Sequence, residues 1–234
     1  MKIGILTLPL HINYGGYLQA FALKSILLEH GNEVYLIENK NLYGNLLKRG
    51  LRQIKDSFSL LLFYLGKKNK EAEFILKEKK ISIFKDNYMC PIVDISNSKT
   101  LNDLDIVIVG SDQVWRPWKG LCRNSLYFFL DFIKSTKTKK ISYAASFGID
   151  KWEYNPVETI QIKKLLQDFS IISVREDDGV SLLQDNLGLP SIRMCDPTLL
   201  LTKNDYLSTL RIHHPDNDRI SSYILDFQRF NITV

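Results

Sequence analysis

The chain has 234 residues, a hydrophobic share of 45%, a charged share of 24% and a formal net charge of +5, the proportions of a soluble globular protein. No segment reaches the ~18 uninterrupted apolar residues of a spanning helix, the longest candidate being FSLLLFYL at 58–65. Cys90, Cys122 and Cys195 lie far apart with no CxxC spacing, which suits a reducing compartment and gives no metal site.

The start, MKIGILTLPLH, has one lysine and no signal-peptide pattern, so a cytoplasmic amino terminus is expected. KIGILT (2–7) reads as a short apolar strand. GYLQAFALKSILLEHG (16–31) carries helical spacing and stops at Gly31, and EVYLIE (33–38) reads as a second strand. This β–loop–α–β unit implies a parallel pair. Residues 40–85 hold twelve Lys/Arg against four Asp/Glu, a local charge of +8 that leaves about −3 for the rest. Within that region Leu47, Leu51, Ile54, Phe58, Leu61 and Leu65 form one helical stripe flanked by basic residues, and Phe74, Ile81, Phe84 and Tyr88 suggest a second helix. The stripe fits either an ordinary packed helix or, over 44–70, peripheral contact with an anionic membrane surface.

Further along, DIVIVG (105–110) is a nearly continuous apolar strand, and KISYAASFG (140–148) is another. A Pro-started helix follows near 156–168, SIISVRE (170–176) reads as a strand, 177–188 as a helix, and SIRMCDPTLLL (191–201) as a strand and turn. Alternating strands and helices predict an α/β fold with an open, mostly parallel sheet covered by helices on both faces. ISSYILDF (220–227) looks like the first strand of a new unit with seven residues after it. The expected organisation is therefore a domain over 1–210 with a basic amphipathic helical insertion at 44–88, then a linker and first strand over 211–234.

Two junctions carry most of the chemistry. HINYGGYLQAFAL (11–23) crowds His11, Asn13, Tyr14, Gly15, Gly16 and Gln19 at a strand-to-helix turn. Asn13, Gly15 and Gly16 can make a positive-φ turn close to a ligand, and the helix amino end suits a phosphate or carboxylate. The pattern is neither GxGxxG nor a P-loop. VGSDQVW (109–115) puts Ser111, Asp112 and Gln113 after a buried strand, where open α/β sheets form their ligand crevice. Asp112 there can act as a general base toward a sugar hydroxyl, hold it by hydrogen bonding, or cap a following helix. SYAASFG (142–148) supplies small residues, Ser146 among them, that allow close approach. Arg175 in SVREDD can grip an anion or pair with Asp177 or Asp178, while Asp196 caps a turn broken by Pro197. His213 and His214 have no third ligand nearby and make weak metal candidates.

In this order, ILTLPLHINYGGYLQAFAL, VGSDQVW, SYAASFG, SVREDDGVSLL and DPTLLL resemble the polysaccharide pyruvyl transferase family over most of residues 1–201. The resemblance implies a Rossmann-like domain similar to the amino-terminal half of a B-type glycosyltransferase. It also implies transfer of the pyruvyl group of phosphoenolpyruvate onto two hydroxyls of a saccharide or lipid-linked saccharide as a ketal. On this reading Asp112 and His11 are catalytic. Asn13, Tyr14, Gly15, Gly16, Gln19, Ser111, Gln113, Ser146 and Arg175 bind substrate, and no cofactor or metal is needed. The family's donor-binding Arg and His belong to a second half that this sequence does not contain, so half a catalytic site is the expectation, in a cytoplasmic protein for which contact with the inner face of the membrane is one of two open readings. Two other readings stay open: a nucleotide-sugar glycosyltransferase of similar architecture, and a non-catalytic saccharide-binding remnant. Nucleic acid is not an expected partner, because no recognised module accompanies the basic segment, and the sequence leaves the oligomeric state open.

Overall fold

The computed structural model describes residues 1–10, 14–39, 70–117 and 126–211, without the side chains of 70–74 and 77. Six strands form one sheet: β1 (Lys2–Leu6), β2 (Glu33–Glu38), β3 (Ile92–Asp94), β4 (Ile106–Gly110), β5 (Lys139–Tyr143) and β6 (Phe169–Ile171). They are ordered β3-β2-β1-β4-β5-β6, and every pairing is parallel. This is the strand order of doubly wound dinucleotide-binding folds, whose chain reverses direction between the first and fourth strands. The expected open parallel sheet is present.

Alternation decides which helix covers which face, because successive strand side chains point to opposite sides. Ile3, Ile5, Val34, Leu36 and Ile108 pack with Ala20 and Leu23 of α1 (Tyr14–Glu29). Leu6, Ile37, Val107 and Val109 belong to a larger cluster with Ile162 and Leu166 of α4 (Pro156–Leu166) and Leu183 and Leu187 of α5 (Asp177–Leu187). The amino half of α1 is buried from Gly16 to Leu23 except at Leu18, because α2 (Lys70–Tyr88) lies along it. Phe84 meets Tyr17 and Phe21 edge-on, at 6.0 and 5.8 Å between centroids. The predicted second amphipathic helix is therefore this packed one. Its predicted predecessor over 44–65, and the strand at 220–227, lie outside the described residues.

The helix starts follow capping chemistry. Asn155 accepts from the Glu158 amide at 2.9 Å while Glu158 reaches back to the Asn155 amide at 3.1 Å, and Pro156 takes the first helical position. A five-residue helix α3 (Ser98–Asn102) links β3 to β4.

The stretch read as one strand over 170–176 is two. β6 closes the large sheet, and β7 (Ser173–Val174) pairs instead with β8 (Ile192–Arg193). A reciprocal pair of buried serines joins β7 to β5. Ser142 Oγ accepts from the Ser173 amide at 2.8 Å and donates to the Ser173 carbonyl at 3.0 Å. Ser173 Oγ donates to the Ser142 carbonyl at 2.7 Å and accepts from the Ala144 amide at 3.0 Å. Compact packing separates Met1–Leu201 from Thr202–Val234. In the second unit, Thr202 caps a short helix α6 (Lys203–Thr209) through a capping box with Asp205.

Candidate functional site

Because β1 and β4 are parallel neighbours, with Leu6 paired to Val109, the segments after them leave the same edge of the sheet. The turn holding Asp112 and residues 7–10 after β1 thus both lie at the switch point, where ligand sites of such sheets form.

The turn after β4 has an unusual backbone. Gly110 has φ +130, and a Cβ there would lie 2.2 Å from the Tyr143 carbonyl oxygen, so only glycine fits. Asp112 is left-handed at φ 56, and its Oδ1 accepts from the Gln113 amide at 2.8 Å, the local bond by which Asp tolerates that region. Within the described residues 112–117 the chain forms a turn running to Trp115, so Asp112 opens a turn there and caps no helix. Trp115 anchors that turn. It is fully buried, its indole donates to the Phe128 carbonyl at 3.1 Å, its ring stacks on Phe129, and Tyr154 Oη donates to its carbonyl at 2.9 Å.

Ser146 ties the turn to the next strands. Its amide donates to the Asp112 carbonyl at 3.0 Å and its carbonyl accepts from the Trp115 amide at 3.1 Å. Its hydroxyl donates to Glu176 Oε1 at 3.0 Å and accepts from the Gly148 amide at 2.9 Å. Ser146 is fully buried with these bonds in place, which fits positioning rather than ligand contact. Gln113 packs on left-handed Gly148, where a Cβ would come within 2.5 Å of the amide carbon.

From Glu176 the chain of contacts runs on. Arg175 Nε donates to Glu176 Oε1 at 2.7 Å, and one Arg175 terminal nitrogen donates to Asp196 Oδ2 at 3.3 Å. Gln19 Nε2 donates to the same Asp196 oxygen. The other oxygen, Oδ1, accepts from the Thr198 amide at 3.0 Å and hydroxyl at 2.8 Å. Asp196 therefore caps its turn as the sequence implied, and also carries a second function that sequence reading missed. The expected pairing of Arg175 with Asp177 or Asp178 is not the one formed, since Asp177 pairs with Arg193 at 2.7 Å. Burial opposes the charge on Arg175, but Glu176 and then Asp196 outweigh it and hold the guanidinium above its ordinary pKa. Two of its five N–H donors are engaged in these bonds, which leaves donors for a ligand oxygen.

Gln19, Asp196, Arg175, Glu176, Ser146 and the Asp112 turn thus form one connected polar chain. Among the described residues two buried oxygens near it lack partners: Gln19 Oε1 and Ser111 Oγ. Burial pushes the Tyr143 phenol up to about 12, with Cys195 and Asp196 beside it adding to the rise. The structure therefore brings Gln19, Ser146, Arg175 and the Ser111–Gln113 turn together. Tyr143, Glu176 and Asp196 join them without having been singled out as site residues.

The remaining predicted residues fare differently. His11 and Asn13 lie outside the described residues. Gly15 and Gly16 are in the first turn of α1 and neither has positive φ, because the helix begins at Tyr14. The left-handed turn expected of them is supplied by Gly110 and Asp112 instead. Tyr14 is half exposed and lines an apolar groove of ≈ 280 Å³ with Tyr17, Leu18, Ile81 and Phe84, toward α2. Among the described residues no cluster of His, Cys, Asp or Glu could hold a metal ion, and no helix is long and apolar enough to cross a membrane.

Fold and site together define a doubly wound α/β protein with a connected chain of polar side chains at the carboxyl edge of its sheet. A family model described as polysaccharide pyruvyl transferase matches residues 13–233, and the chain belongs to that family. Among solved structures it is similar to an alpha-glucosyltransferase in complex with UDP and a 13-mer DNA containing an HMU base. That similarity has 14% identity and a TM-score of 0.40, over 82% of this chain and 41% of that one, so the chain spans less than half the length of that structure. No curated protein sequence matches.

Proposed function

We propose that the crevice is the saccharide-acceptor side of a pyruvyl transferase that uses phosphoenolpyruvate in building a surface polysaccharide. The observation that carries this reading is the family match over residues 13–233. The polar setting agrees with a polyol: the Arg175 guanidinium is already paired to the carboxylates of Glu176 and Asp196, and Arg116 Nη1 donates to Gln113 Oε1 at 3.4 Å beside Asp112.

In the reaction, one sugar hydroxyl adds to C2 of phosphoenolpyruvate while C3 takes a proton to become a methyl group. The second hydroxyl then displaces the phosphate from C2. Two C–O bonds form, one C–O bond to phosphate breaks, and the second hydroxyl's proton leaves with a base or the phosphate. Asp112 is the base in this reading, held by the left-handed turn and by Trp115 behind it. The half-buried Arg175, oriented by Asp196 and Glu176, offers donors to hydroxyl groups. His11 is a second acid–base candidate from the loop before α1.

The test is incubation of the chain, joined to the second half of a family member, with a saccharide acceptor and either phosphoenolpyruvate or UDP-glucose. Saccharide-dependent phosphate release with formation of a ketal methyl group is expected from the first pair, and D112N lowers that rate by about 100-fold or more, the span of general-base catalysis. UDP release without ketal formation overturns the reading in favour of a glycosyltransferase.

A further inference from the structure

The opposite edge of the sheet holds a lysine in an unusual setting. Lys140, the second residue of β5, points into the interior beneath α4, and its side chain is only 9% exposed. Its ammonium lies 3.7 Å from Asp168 Oδ2, too long for a hydrogen bond, and Asp168 is itself 68% exposed. Lys140 Nζ therefore sits at the end of a buried stem with a single ion-pair partner among the described residues, and its three donors are open to a ligand from the cavity beside it.

What surrounds it is a cavity of ≈ 370 Å³ at the amino ends of β5 and β6. Lys134, Ser135 and Thr136 line it beside Lys140. Ser135 Oγ accepts from the Lys137 amide at 3.3 Å, so its own proton remains to be donated. The Thr138 hydroxyl, by contrast, is spent on the Leu104 carbonyl at 2.9 Å. Asp131 and Asp168 balance the two lysines, which limits the charge of an added ligand to about one unit. In size the cavity falls at the small end of the roughly 300–1,000 Å³ range of ligand pockets.

We infer that this cavity binds a small, singly charged oxyanion, a carboxylate or a phosphate, with Lys140 as its anchoring cation and Lys134 and the Ser135 hydroxyl as further donors. The site is separate from the crevice. β5 is five residues long, about 16 Å at roughly 3.3 Å per residue, and the two sites lie beyond its opposite ends. The inference needs neither Asp112 nor Arg175 and stands apart from the proposed reaction.

Thermal denaturation of the full chain tests it, with sodium phosphate or sodium acetate replacing sodium chloride at constant ionic strength. A saturable rise in Tm of about 3 °C or more is expected from at least one anion, retained in R175Q, absent in K140M and needing several-fold more anion in K134Q. K140M keeps the length of the side chain without its charge, and its Tm in chloride should match or exceed the wild type. Should K140M fail to fold, the Lys140 Cε resonance of the wild type provides the readout, shifting saturably with the same anion. A response to one anion alone identifies the ligand as phosphoryl or carboxylate. No saturable response to either anion, or one that survives K140M and vanishes in R175Q, overturns the inference.

Discussion

The two edges of the central sheet are built from the same strands yet differ in kind. At the amino edge, ordinary backbone continues the ladder: the Asp105 amide donates to the Lys2 carbonyl and the Lys139 amide to the Asp105 carbonyl, both at 2.9 Å. Its ion pairs reach solvent on at least one side, Lys2 with Asp103 and Lys140 with the exposed Asp168. At the carboxyl edge Gly110, Asp112, Ala144 and Gly148 are all left-handed, and buried oxygens lack partners. One edge is arranged to be stable, and the other holds strained backbone and unmet hydrogen bonds where a ligand would sit.

The contrast breaks most sharply at Gly110. G110A must put a methyl group against the Tyr143 carbonyl at φ +130, and a loss of about 4 kcal/mol or more in urea unfolding is expected from strain and overpacking together. A loss under about 1 kcal/mol would show that the carboxyl edge yields as readily as the amino edge. Next comes S173A, which strips partners from the Ala144 amide and the Ser142 carbonyl, both buried. It should cost about 2–3 kcal/mol and weaken saccharide binding through Arg175.

A pH series sharpens the same contrast. Burial raises the phenol of Tyr154 above its ordinary range, and Tyr17 to about 12, while the Cys90 thiol is raised to about 11 by burial, offset in part by Lys24. Below pH about 9 both folded and unfolded chains hold these protons, and stability is unaffected. Above it the unfolded chain releases protons that the folded one keeps, so stability falls as pH rises from about 9 to 12. Each withheld proton adds ~1.4 kcal/mol per pH unit to that slope, and Y154F should remove one such contribution above pH about 10. Smallest is D103N at the amino edge, where loss of a solvent-exposed pair should leave Tm unchanged within error, at low salt as at high.

Much of the scaffold was legible in the sequence because it rests on local signals. Continuous apolar runs give β1, β2, β4 and β5, and the Asn155–Pro156–Glu158 start gives α4. β3 was not, since three residues after Pro91 carry no periodicity. The break at Ile172 was hidden too, because nothing nearby signals that Ser173 will bond to Ser142, 31 positions away. In the site, the Ser111–Gln113 turn and Arg175 were readable as strand-end residues. The partners of Arg175 were only half so: Glu176 is adjacent, but Asp196 comes from 21 positions downstream, and local reading favoured the nearer Asp177. Asp196 looked like a cap because one of its oxygens is one.

The serine junction has a mechanical consequence. Its four bonds use both hydroxyls as donor and acceptor, so they form a saturated, short-armed joint with no slack to take up and no long side chain to swing. The β7–β8 ribbon that delivers Arg175 cannot hinge on β5 without breaking several of them together. The backbone that carries the guanidinium therefore inherits the stiffness of the central sheet, and a ligand arriving there would meet a fixed wall.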